Sequence, residues 1–227
     1  MDDLLFKVTI WLIPGIIAIT FHEAAHGFVA SKLGDDTALR AGRVTFNPFR
    51  HIDPFGTLLL PGFLLLMRAP FLFGWAKPVP VNFFRLRNPK RDMVWVAAAG
   101  PGMNLLLAYG SALLLHTVPE LPAFIGGWWK ANLLVSLQFN LILAIFNMIP
   151  LPPLDGGRVA VGLLPRPLAR PLARLERTGL LILILALFVV PFAAATLLHV
   201  EFNPIAWLIG PPFNVLLGLC LQMAGLQ

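Results

Sequence analysis

The chain has 227 residues, 58% of them hydrophobic and only 12% charged, whereas soluble domains carry about 25% charged residues. This excludes a soluble enzyme, and the length suits one domain of several membrane spans with no large soluble module. The net charge of +6 points to basic loops beside anionic lipid, not to nucleic-acid binding, and a single cysteine, Cys220, rules out an internal disulfide and any four-cysteine zinc site.

The first apolar run, about residues 4–30, predicts a spanning helix kinked at Pro14-Gly15. Its acidic start, Met1-Asp2-Asp3, is unlike a cleavable signal. Gly34 with Asp35 and Asp36 closes that helix. Residues 40–53 are too polar to span, and the alternation from Arg43 to Phe46 predicts a short strand. Residues 54–74 are apolar but interrupted by Pro61-Gly62, Arg68 and Pro70, a pattern that suits a re-entrant or broken helix. In the extended stretch 75–82, Pro78 and Pro80 remove both N–H groups from one edge, while Lys77, Val79 and Val81 keep donors on the other. Further spans are predicted at about 93–115, 130–149, 179–198 and 204–224. The expected fold is an all-α polytopic membrane protein. It has about five transmembrane helices, a re-entrant or broken apolar segment and a small β-hairpin-like element. The chain reads as one domain, 1–227, with a catalytic core at about 4–165 and two additional C-terminal helices.

The loops at 32–50, 77–91 and 158–177 are rich in Lys and Arg, and the links at 116–129 and 199–203 are not. The basic loops are therefore expected in the cytoplasm. Spans one and three then run in the same direction, which brings the ends of both to similar depth.

The stretch FHEAAHGF, 21–28, lies near the cytoplasmic end of span one. On a helix, His22 and His26 share a face at i and i+4 and can reach one ion, with Glu23 beside a water on that ion. Three protein ligands plus water is the usual count for catalytic zinc. His116, His199, Glu120 and Glu201 fall on the far side, and His51 sits in a basic loop. Asp155, in FNMIPLPPLDGGR at 146–158, is better placed, and spacing alone leaves it either a ligand or a turn residue capping the next helix. Two histidines and a carboxylate also suit iron(II) or cobalt.

HEAAH in the first span, AGPGMN at 99–104 and FNMIPLPPLDGGR at 146–158 together resemble the site-2 protease family of intramembrane zinc metalloproteases. GRVTFNPFRHIDPFGTLLLP and FGWAKPVPVN resemble its compact bacterial branch, without PDZ or CBS domains. The resemblance implies one Zn2+ held by His22, His26 and Asp155, with Glu23 activating a water. Asn147 then matches a family asparagine near the active site, and Asn104 the asparagine of a GPxxN motif.

The expected reaction is hydrolysis of peptide bonds in or next to transmembrane segments of single-span membrane proteins, in a multi-pass protein of the cell membrane with its active site toward the cytoplasm. Asn147 is a candidate oxyanion donor, or makes a helix-end hydrogen bond. Asn104 reads as a buttress of helix packing between spans two and three, and Asn140, seven before Asn147 and able to share a helical face with it, as a packing residue. Lys77, Val79 and Val81 offer an edge for strand addition by an unwound substrate, or pair in an internal hairpin with 43–46. The bilayer is the other partner, and nothing in the sequence specifies an oligomeric state. A transporter would string ionisable groups through the membrane depth, whereas here they gather at one depth. A non-proteolytic metal-binding scaffold would not need Glu23.

Overall fold

In hydrocarbon only intrahelical bonds satisfy the backbone, so long apolar runs become long helices. The computed structural model describes residues 3–59, 63, 66, 67, 76–197, 199, 200 and 202–226. Among these, five helices are long and apolar enough to cross a membrane: Leu5–Lys32, Pro89–Glu120, Ala123–Asn147, Gly179–Leu197 and Pro204–Met223. In chain order the helices are α1 (Asp3–Lys32), α2 (Thr37–Arg40), α3 (Pro89–Leu114, with a 3-10 extension to Glu120), α4 (Ala123–Asn147), α5 (Asp155–Leu163), α6 (Arg166–Arg174), α7 (Gly179–Leu197) and α8 (Pro204–Met223). The protein is a multi-pass membrane protein.

Helix α1 continues through Pro14 and Gly15. It ends where Gly34 takes φ +111 and the Asp35 N–H bonds back to the Ala30 carbonyl at 2.9 Å, a glycine-terminated cap. Asp35 is fully buried and ties this end to a distant segment. Its carboxylate accepts from the Thr37 N–H at 3.1 Å, the Thr37 hydroxyl and the Asn82 N–H at 2.6 Å. Burial alone would raise its pKa, but the Thr37 hydroxyl and the Asn82 and Thr37 N–H groups outweigh that and hold it below the ordinary value.

Helix α4 begins at Ala123, directly after Pro122, and not at 130. Proline suits a helix start, and the apolar Phe124 and Ile125 let the span begin there. Small residues set the packing. Ala108 and Ala112 of α3 meet Leu137 and Leu141 of α4, and Cys220 of α8 completes this apolar cluster. Hydrogen bonds add register: the Ser111 and Ser136 hydroxyls pair at 2.7 Å, and the Trp128 indole donates to the Thr9 hydroxyl at 2.9 Å.

No strand occurs among the described residues, so the β-hairpin-like element is not found there. Residues 43–46 and 76–82 meet without a ladder because their polar groups have other partners. The Arg43 guanidinium donates to the Lys77 carbonyl at 2.6 Å, and the Lys77 N–H donates to the His51 carbonyl at 2.9 Å. Of the apolar segment 54–74, Pro54–Leu59 forms a helical turn; most of the expected re-entrant stretch, with Pro61-Gly62 and Arg68, lies outside the described residues.

Candidate metal centre and active site

His22 and His26 sit one turn apart near the end of α1 and face α3. His22 Nδ1 lies 2.6 Å from the Asn104 side-chain oxygen. The Asn104 amide nitrogen is committed elsewhere, to the Asn140 oxygen at 2.8 Å and the Ala18 carbonyl at 3.3 Å. Asn104 therefore turns its oxygen to His22 and can only accept, which puts the imidazole proton on Nδ1. His26 Nδ1 lies 2.7 Å from the Val96 carbonyl, another pure acceptor, and is protonated there too. In the neutral rings both Nε2 atoms are then bare lone pairs, the form a metal needs.

The two Nε2 atoms stand 3.1 Å apart and lie 3.2 Å (His22) and 3.3 Å (His26) from Asp155 Oδ2. Three acceptor atoms with no hydrogen between them repel one another unless a cation joins them. Ligands bonded tetrahedrally at 2.0–2.1 Å stand about 3.3 Å apart, so the spacing fits an ion such as zinc. Among the described residues, His22, His26 and Asp155 form the one group of three or more such side chains able to hold a metal.

Glycines make the centre possible. A Cβ on Gly100 of α3 would fall 2.4 Å from His26 Nε2 and 2.5 Å from His22 Nε2. Asp155 opens α5, where an acidic group also meets the favourable end of the helix dipole. Gly156 and Gly157 belong to the first turn of α5. A Cβ on Gly156 would lie 2.2 Å from the Met148 carbonyl oxygen, and one on Gly157 2.2 Å from Pro152 N. The 148–154 loop thus folds back against the helix it precedes. Gly179, at the start of α7, braces the same loop, with its Cβ position 1.6 Å from the Pro152 carbonyl oxygen.

The other sequence-derived residues divide. Glu23 is half-buried, and its Oε2 accepts from the Val79 N–H at 2.7 Å. Asn104 and Asn140 do pair across α3 and α4. Asn140 donates onward to the Ser136 carbonyl at 2.9 Å, so a buried chain of amides runs from α4 to His22. That Asn104 orients a histidine was not apparent from spacing. Asn147 is half-buried near the end of α4 and donates to the Leu143 carbonyl at 3.0 Å. Val81 is half-buried and Lys77 exposed. His51 is buried beside the Thr45 carbonyl at 3.0 Å, and the exposed His116 lies beside the Ala224 carbonyl at 2.6 Å; neither joins the centre. Sequence reasoning missed Gly100, Gly179 and the Val96 carbonyl.

Asn104→Ala leaves His22 Nδ1 without its acceptor and frees the ring to turn. Zinc affinity is expected to fall about 10- to 100-fold, the range for partners behind a metal ligand, as measured by competition with a chromophoric chelator. Unchanged affinity would remove the orienting role.

The profile of peptidase family M50 matches residues 121–190. Over 187 residues the chain is 40% identical to YwhC of Bacillus subtilis strain 168, covering 80% of this chain and 81% of that protein. It is 30% identical over 204 residues to Rip2 of Mycobacterium tuberculosis strain H37Rv, covering 88% of this chain and 73% of that protein. It is also 29% identical over 160 residues to MJ0611 of Methanocaldococcus jannaschii, covering 68% and 72%. All three relatives are assigned by name as zinc metalloproteases. No solved structure matches the chain significantly. With the HEAAH helix and Asp155 converging on one point, the chain belongs to peptidase family M50, the site-2 protease family.

Proposed function

We propose that this M50 peptidase is a zinc-dependent endopeptidase that hydrolyses peptide bonds in or next to the transmembrane segments of single-span membrane proteins, from an active site toward the cytoplasm. The carrying observation is the cluster of two bare imidazole nitrogens and one carboxylate oxygen, 3.1–3.3 Å apart, at the end of a membrane helix. His22, His26 and Asp155 would hold the ion. Bound zinc supplies a water of lowered pKa and polarises the scissile carbonyl.

Glu23 accepts the proton of the attacking water on a carboxylate oxygen and passes it to the leaving amine. Its place beside His22 on the same helix, with one oxygen pinned by the Val79 N–H, suits that work. Asn147 has a second amide hydrogen beyond the one given to Leu143, and we assign it to the developing oxyanion. The Lys/Arg-rich loops at 32–50, 77–91 and 158–177 support the cytoplasmic orientation, and that side gives water and an unwound substrate a polar route in.

The test is metal removal. Purified protein in detergent is given a single-span substrate before and after treatment with a strong chelator, and again after zinc is restored. Cleavage is expected to stop on chelation and return with one equivalent of zinc. Cleavage that survives complete removal of metal contradicts the proposal.

A further inference from the structure

We infer that the backbone amide of Val79 is a positioning group for the Glu23 carboxylate, and that segment 76–82 exists in large part to deliver it. The inference rests on the proposed role of Glu23 and deepens it.

Pro78 and Pro80 have no N–H, so Val79 carries the only backbone donor between Lys77 and Val81. That donor points inward, 2.7 Å from Glu23 Oε2, and Val79 is buried at 8% exposure, so the bond is shielded from water. The segment is fastened on both sides of it. At Lys77, the N–H goes to the His51 carbonyl and the carbonyl receives the Arg43 guanidinium at 2.6 Å. At Asn82, the N–H goes to the buried Asp35 carboxylate at 2.6 Å. The Val79 side chain is seated against Gly27, one turn beyond Glu23 on α1, where an added Cβ would lie 3.0 Å from Val79 Cγ1.

A glutamate has three rotatable side-chain bonds and loses them only if something holds it. Here one oxygen is held by a charge-assisted bond from a fixed amide, which leaves Oε1 to take the proton in a defined direction. The inward edge of 76–82 is thus already engaged at Lys77 and Val79. This separates positioning from strand addition by a substrate: capture of substrate on this edge would act on KM, whereas positioning of the base acts on kcat.

The experiment compares wild type, Val79→Pro and a backbone ester at position 79, made by installing the α-hydroxy analogue of valine. The ester removes only the N–H and keeps the valine side chain in its seat against Gly27. Val79→Pro and the ester are each expected to lose about 10- to 100-fold in kcat, the factor for one charge-assisted hydrogen bond, with KM and bound zinc unchanged. In metal-free protein, the infrared carboxylate band isolated by subtracting Glu23→Gln is expected to move in the ester relative to wild type. Full kcat in the ester, a loss that appears as a raised KM, or an unmoved carboxylate band overturns the positioning role. Wild-type protein that cleaves no substrate overturns the proposed function itself, a result the same preparations report separately.

Discussion

Gly100→Ala is expected to weaken zinc binding by about 100-fold or more while leaving the helices intact. The added methyl would stand 2.4 and 2.5 Å from the two Nε2 atoms and 2.6 Å from His22 Cε1, well inside van der Waals contact. Neither ring can retreat without cost, because each is pinned through Nδ1 at 2.6–2.7 Å to α3, the helix that carries the methyl. Relief requires α1 and α3 to separate, which disrupts the buried stripe of Val96, Ala97 and Asn104. Alanine is the better helix former by about 1 kcal/mol, so lost helicity cannot explain the effect. Zinc affinity should fall by about 100-fold or more, beyond the range for partners behind the ligands. Elemental analysis beside circular dichroism checks this; one tightly bound zinc per chain in Gly100→Ala would contradict the geometry.

Glu23→Gln is expected to stop cleavage and keep the metal. The side chains are nearly isosteric, and the amide oxygen can still accept from the Val79 N–H, so segment 76–82 stays in place. What disappears is the ability to take a proton from water, a contribution of about 10²- to 10⁴-fold in rate. Glu23 is not among the three clustered side chains able to hold a metal, so zinc content should not change. This split between intact metal binding and lost catalysis distinguishes a general base from a fourth ligand, whose loss would lower both.

Hydropathy made the five spans legible, because a membrane demands long uninterrupted helices and the sequence carries few charges within them. The start of α4 was misplaced by seven residues, since Pro122 reads equally as the end of a linker or as a helix start. The HEAAH spacing put two histidines on one helix face without help from the rest of the chain. Asp155 stayed ambiguous because a turn residue and a metal ligand look alike in one dimension, and only a fold can bring α5 back to α1. The glycines were hardest to read. Gly100 lies in AGPGMN and Gly156-Gly157 in LPPLDGGR, and one dimension does not show that each is required because backbone or histidine atoms pass where a Cβ would be. The alternation of Pro78 and Pro80 disclosed which edge of 75–82 keeps its donors. It could not disclose that the acceptor is Glu23, 56 residues away.

The central claim is that His22, His26 and Asp155 hold a zinc ion at which Glu23 acts as base. Its most direct test measures zinc content and cleavage of a single-span substrate in the same preparations of wild type and Glu23→Gln. The expected result is one zinc per chain in both and cleavage by wild type alone. Equal cleavage by both proteins, or active wild type with no bound metal, would contradict it.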